Sequence, residues 1–571
     1  MKPRYMKPLY LLAAVAVVTG TAVADEKESV FEWNTVINNN DPMPPLEVRN
    51  FNSYNQPSVN LHGVVVIRAR SRGGPPLGPP THGIYMRDMG QADSEIVSIL
   101  DRMTPVPAPN NLDSTFVETP SFPRIDMHTN TIATRGNHQP VYQYGSEGDE
   151  TRAGTTGIYS NPNGDLITGA AKLGHVPGYG FFGVPEYTDI PFEVFPGAPS
   201  VTNGNVIVFK GNFSVNGMEK TGVYFRHLLP ETAGGSHPSF LIANTETPIP
   251  GTDVNFGSTA PPNAAGRQVV FAGFDNEDAP TLGGIYLAPL EPTPSLTTLV
   301  SIGQLVPDYP EKGSFNALGE GIAFDGRHVG FWGAWGEETR TLRLYCPQEG
   351  NRDRIDYCNQ QLVCRDTDRT ERDPNSVCDD TSDPNYQISC YTEREVPVNQ
   401  GIFVYDIRTR KMHPVAATGE SFDDFLFWNY SGKPPCAGRG HSEEGGEDDG
   451  ESVRWRSSAY LAVSPGEGLG AAFLSAFKAR KAESFDVTYV DPVDGIYLAR
   501  GPGRLWLSTV VDTTMNGQVL DPEAPADSRV LEVGIEREGL RGRWLAINAK
   551  MGYEGGEEED DMAGIYITEL R

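Results

Sequence analysis

The sequence predicts an all-β fold, a seven-bladed β-propeller built of four-stranded blades. Three observations predict it. The phrase Gly-Ile-Tyr, or a near variant, occurs seven times: Gly83-Ile84-Tyr85, Gly157-Ile158-Tyr159, Gly222-Val223-Tyr224, Gly284-Ile285-Tyr286, Gly401-Ile402-Phe403, Gly495-Ile496-Tyr497 and Gly564-Ile565-Tyr566. Apolar runs flank each copy at matching offsets, so the unit is four short strands joined mostly by turns, with no amphipathic helix between them. The seventh unit stops at its Gly-Ile-Tyr strand, and a strand of the missing type, Trp33-Asn34-Thr35-Val36-Ile37, stands near the start. A first strand that completes the last blade zips the ring and removes its open edges. A solenoid would carry atypical capping repeats at both ends, and a row of β-sandwiches has no need of complementary ends.

The strands follow in order. Gly-Ile-Tyr opens the third strand of each unit. Upstream lies a second strand, as in Val64-Val65-Val66-Ile67, Val206-Ile207-Val208-Phe209 or Trp544-Leu545-Ala546-Ile547. A turn rich in Gly, Asn and Asp precedes most copies, and before it lies a first strand such as Pro57-Ser58-Val59 or Pro123-Arg124-Ile125. Downstream comes a fourth, as in Leu241-Ile242-Ala243 or Leu299-Val300-Ser301-Ile302. The chain is longer than seven units of about 40–50 residues need. The surplus sits between second and third strands (69–82, 137–156, 334–400, 478–494, 551–563) and after fourth strands (104–121, 174–191, 427–452). In an antiparallel blade these two connections emerge on one face of the disc, and long loops on a rigid scaffold are where binding resides.

The N-terminus reads as a secretory signal peptide over 1–24. Lys2, Arg4 and Lys7 precede an apolar run from Leu9 to Val18, too short to span a bilayer, and Ala22-Val23-Ala24 supplies the cleavage site. Residues 25–571 then form one propeller domain, expected in the periplasm or outside the cell. Cleavage removes three positive charges and no negative one, moving the net charge from -29 to -32. That balance excludes a nucleic-acid-binding footprint over the whole surface. All six cysteines, Cys346, Cys358, Cys364, Cys378, Cys390 and Cys436, fall in one stretch; in an exported chain they read as disulfides, with the pairing left open. Five of them lie in the 334–400 insertion of the fifth unit.

The repeat resembles the secreted bacterial β-propeller repeat proteins of unknown function, whose units read Gly-x-x-Val-x-Phe followed by Gly-Ile-Tyr and an Ile-Ala-rich strand. The stretch from Ile242-Ala243-Asn244-Thr245-Glu246-Thr247-Pro248 through Phe271 fits best, and the cysteine-rich insertion departs from the pattern. The resemblance implies the fold and export, and it brings no activity with it.

The chemistry-bearing residues that converge are basic, imidazole and phenol groups on the elaborated face. Arg135 precedes His138 at the root of a long loop with Tyr142 and Tyr144; the next such loop brings His175 and Tyr179. Lys210 holds in the third unit the place that Arg135 holds in the second and Arg68 in the first. A base, a proton donor and a cation are the parts of a polysaccharide lyase acting on a uronate. Against this stands the plainer reading, strand-end charges and blade-core aromatics. Asp366, Asp368, Glu371 and Asp373 could offer oxygens to calcium, without the EF-hand spacing; no cofactor is otherwise required. The sequence favours an exported propeller that binds a protein or glycan through its loop-rich face. The alternative is a lyase on an acidic glycan.

Overall fold

A computed structural model describes residues 31–571 except 46–47, 74–77, 79, 109–113, 139–142, 145–150, 153–154, 173–182, 188–189, 229–237, 278, 308–312, 346–390, 432–453, 458, 503–506, 554–555 and 557–560. The signal peptide expected over 1–24 therefore lies outside the described residues. Seven antiparallel sheets form the seven-bladed propeller, each running first, second, third, fourth strand outward from the axis. In blade 1 these are Ser58–Val59, Val64–Ser71, His82–Asp88 and Val97–Asp101. Blade 7 joins Leu540–Arg541, Trp544–Gly552 and Met562–Glu569 to the N-terminal strand Trp33–Asn38. The pairing of Trp33 with Thr568 and of Asn38 with Gly564 is the closure the sequence predicts.

The structure adds a feature to the first strand. Among the described residues it comes in two pieces in five blades, the extra one nearer the loop-bearing face: Phe51–Tyr54, Phe116–Glu118, Ser258–Thr259, Phe315–Leu318 and Arg529–Gly534. Phe116–Glu118 falls within 104–121, which the sequence predicts as loop. In three of these blades the extra piece opens on a phenylalanine. The aromatic of Gly-Ile-Tyr is buried in every blade, and a phenylalanine from the lead-in to the first strand meets it edge-on: Phe51 on Tyr85 at 4.9 Å, Phe116 on Tyr159 at 4.7 Å, Phe315 on Phe403 at 5.1 Å. These pairs pack against the preceding blade, as where Phe116 and Tyr159 join Val64, Val66 and Ile84 in one core cluster. The glycine is needed for close approach. A Cβ on Gly284 would lie 2.0 Å from the Val300 carbonyl oxygen, because a β-bulge after Ile285 draws the fourth strand in.

Candidate functional site

Strand order decides which loops share a face. The end of the second strand pairs with the start of the first, as Ser71 pairs with Phe51. Connections leaving the second and fourth strands therefore open on the same side. The fifth-blade insertion is rooted there by a ribbon, Thr339–Tyr345 against Tyr391–Pro397, seven pairs in unbroken register. Blade 6 answers with a smaller ribbon, Ser484–Asp486 against Thr488–Val490, whose Val487 carbonyl accepts the Arg343 N–H at 3.2 Å.

Charged and aromatic groups lock the two ribbons together. Arg340 donates from Nη2 to Asp424 Oδ2 at 2.8 Å and to the Tyr489 hydroxyl at 2.6 Å, and lies over the Phe485 ring at 4.3 Å. Tyr489 donates to the same carboxylate. The other oxygen of Asp424 accepts Gln400 Nε2 at 2.7 Å; Gln400 Oε1 in turn accepts Trp332 Nε1 at 2.8 Å. Trp332 stacks on Phe427 at 4.8 Å. Burial, then the Asp424 carboxylate, pushes the Tyr489 phenol far above its usual range. The network engages both Asp424 oxygens. It offers no base and serves as a mount for the insertion.

The axis is filled at the level of the first strands. Blade 7 sends Glu536, Arg537, Glu538 and Arg541 into it, where they meet Arg124 of blade 2, and all five are buried. Arg124 Nη2 donates to Glu536 Oε1 at 2.9 Å, and Arg537 Nε reaches the same oxygen at 3.2 Å. Arg537 crosses to the Pro261 carbonyl of blade 4 at 3.2 Å. Arg541 bonds the Val463 and Phe324 carbonyls of blades 6 and 5, at 3.2 and 3.3 Å. Burial pushes Glu536 up, but Arg124 and Arg537 outweigh it and hold the carboxyl down at about 2. Sequence reasoning missed this plug. Its signal was the run Glu536-Arg537-Glu538, placed where other units lead into the first strand with proline.

The residues singled out in the sequence separate on the structure. His138 is 1% exposed. Its Nε2 pairs with Thr155 Oγ1 at 2.6 Å and its Nδ1 with the Tyr159 hydroxyl at 3.1 Å, while Phe116 packs edge-on to the ring. Proton abstraction needs an accessible nitrogen, and this geometry offers none, so His138 is a blade-core histidine. Burial lowers its pKa to about 4. Its ring signals are expected to titrate near pH 4 rather than near the ordinary 6.5, as checked by NMR on the ring protons. The unfolded chain binds this proton first, so the fold loses stability as pH falls from 6.5 to about 4.

Arg135 and Lys210 are both buried and hold equivalent places, Arg135 opposite Ile158 and Lys210 opposite Val223, as Arg68 is opposite Ile84. The structure adds Lys478, opposite Ile496, whose pKa burial lowers and Asp494 partly restores. Tyr144 lies in a two-residue strand, Gln143–Tyr144, paired with Thr151–Arg152. Tyr142, His175, Tyr179, the calcium candidates Asp366, Asp368, Glu371 and Asp373, and all six cysteines lie outside the described residues. Among the described residues, no group of three or more His, Cys, Asp or Glu is placed to hold a metal ion. Nor is any helix among them long and apolar enough to cross a membrane.

No family model matches the chain, and no curated protein sequence matches it. Solved structures similar in fold include an acylaminoacyl peptidase from Pyrococcus horikoshii, with 8% identity and a TM-score of 0.33, covering 88% of this chain and 49% of that one. Prolyl oligopeptidase B from Galerina marginata follows at 7% and 0.30, covering 89% and 56%. A family 117 glycoside hydrolase from the marine bacterium Zobellia galactanivorans stands at 12% and 0.26, covering 57% and 87%. The chain spans about half the length of the two peptidases. At such identities and scores the likeness carries no argument about function, which rests on the residues of the loop-bearing face.

Proposed function

We propose that this chain is an exported propeller that binds an extracellular or periplasmic protein or glycan through its loop-rich face. The observation that carries the reading is the mounting of the fifth-blade insertion. Seven register pairs and the Arg340–Asp424–Tyr489 network hold its root on that face, and order in a scaffold lowers the cost of binding by what it presents. The filled axis supports it, because a ligand arriving there meets a floor and not a channel. Cleavage after Ala24 and disulfides among the six cysteines, their pairing open, belong to the same reading.

The ribbon supplies a clean test. Tyr345 and Tyr391 are the last pair in register, so replacing 346–390 by Asn-Gly closes the hairpin with a two-residue turn. The shortened chain is expected to keep its far-UV spectrum and unfolding midpoint. It is expected to lose retention of glycan or protein from the growth medium, measured on immobilised protein. Unchanged retention would remove the insertion as the binding element.

A further inference from the structure

In a chain of net charge -29, arginines gather at one place on the loop-bearing face, the end of blade 1 beside the ring closure. Arg68, Arg70 and Arg72 fall at alternate positions along and just past the second strand Val64–Ser71, so the pleat sends them to one side. Arg102 follows the fourth strand at the same end, and Arg49 lies in the segment leading from the N-terminal strand into blade 1. The bonds of three of them run to neutral oxygens: Arg70 Nη2 to Ser53 Oγ at 3.4 Å, Arg72 Nε to Asn52 Oδ1 at 3.3 Å, and Arg102 Nη1 to the Pro80 carbonyl at 3.2 Å. Arg72 and Arg102 are exposed. His82, paired in register with Arg70, has its pKa lowered to about 4 by burial and then by Arg68, Arg102 and Arg70, with Glu118 opposing. It adds no charge of its own at neutral pH and marks how closely the guanidiniums crowd.

Beside them runs a cleft of about 660 Å³ between blades 7 and 1, whose lining includes Arg49 and Arg72, four asparagines, and Glu523 and Asp561. Its carboxylates are already engaged. Asp561 pairs with Lys550 Nζ at 3.0 Å, and Glu523 accepts Asn40 Nδ2 at 2.9 Å. Glu523 keeps its charge under that amide bond, so the lining itself is rich in amides and near balance, and the cationic excess lies with Arg70, Arg72 and Arg102 at its end. The one ring in the lining, Phe51, is buried in the blade, so the cleft lacks the exposed aromatic anchor usual in protein hot spots. Guanidiniums match carboxylates in planar, bidentate geometry, and amides alternate donors and acceptors as hydroxyls do.

We propose that this arginine patch, with the cleft beside it, binds a segment of a uronate-containing polysaccharide, its carboxylates taken by Arg70, Arg72 and Arg102 and its hydroxyls by the asparagines of the cleft. The proposal rests on the loop-face reading above and names the ligand class and the place. The acidity of the rest of the surface repels a polyanion elsewhere, which confines it to this end of the disc.

The test uses the whole mature chain with polygalacturonate, its fully methyl-esterified neutral form, and single-stranded DNA, followed by calorimetric titration. Binding of polygalacturonate alone, weakening as salt rises, is expected. Replacing Arg70, Arg72 and Arg102 together by glutamine should weaken it by at least about tenfold. Replacing Arg408 and Lys411, exposed on the opposite face, should leave it unchanged. Should the triple change lower the unfolding midpoint, Arg72→Glu alone is read in the same way. No binding by the wild-type chain, equal binding of the methyl ester or of DNA, or an arginine variant that binds as well as wild type overturns the proposal. Those results leave the loop-face reading standing if removing 346–390 still abolishes retention; uronate binding that persists without 346–390 separates the seam from the insertion.

Discussion

Replacing Glu536 by glutamine is expected to lower the stability of the ring by about 3–5 kcal/mol, because it leaves buried cations without their counter-charge. Arg124 and Arg537 both bond Glu536 Oε1, and neither can turn to water without opening the axis. The carboxyl sits at about 2 in the folded ring against an ordinary 4.5. Its stabilising contribution is therefore complete above 4.5 and is lost as pH falls from there toward 2. Urea midpoints measured between pH 7 and pH 2 should show wild type approaching the Glu536→Gln variant at the acid end. A variant as stable as wild type at pH 7 would show that the plug fills space without holding blades 2, 4 and 7 together. Conversion of the whole cluster to apolar residues is a different experiment, and it is expected to cost less than removing one partner.

The second large effect is at the seam. Asp521 is buried, and its Oδ2 accepts Asn38 Nδ2 at 2.9 Å, Thr35 Oγ1 at 3.3 Å and the Tyr566 hydroxyl at 3.2 Å. Two of these donors lie on the N-terminal strand and one on the third strand of blade 7, so one carboxylate ties the two ends of the chain. Asp521→Ala leaves two buried donors, Asn38 and Tyr566, and the half-buried Thr35 unmet, and a loss of about 3 kcal/mol is expected. The loss should be local. Hydrogen exchange is expected to quicken in Trp33–Asn38 and Met562–Glu569 while Val206–Val215 in blade 3 stays protected. Uniform quickening across all seven blades would instead mean that the ring opens as one unit.

Much of the architecture was legible because it repeats. Seven copies of one phrase set the strand order, and the orphan strand Trp33–Ile37 announced the closure that the Thr568 and Gly564 pairings display. The equivalence of Arg68, Arg135 and Lys210 was also readable, since it needs only counting from each glycine. His138 was harder. A histidine at a loop root looks like a catalytic group until Thr155 and Tyr159 are seen to take both its nitrogens, and Thr155 comes from the far side of a loop.

What sequence by itself determined, then, is the ring, its number of blades and the face on which its long loops open, because each follows from local strand pattern and spacing. What only the tertiary structure decided is where charges meet. Arg124 and Glu536 are separated by most of the chain, as are Arg49 and Glu523 in the lining of the seam cleft. Arg340 and Asp424 come from different connections. Closing a ring brings into contact residues whose separation along the chain says nothing of their distance in space. The buried plug, the mount of the insertion and the arginine-lined cleft are all products of that closure.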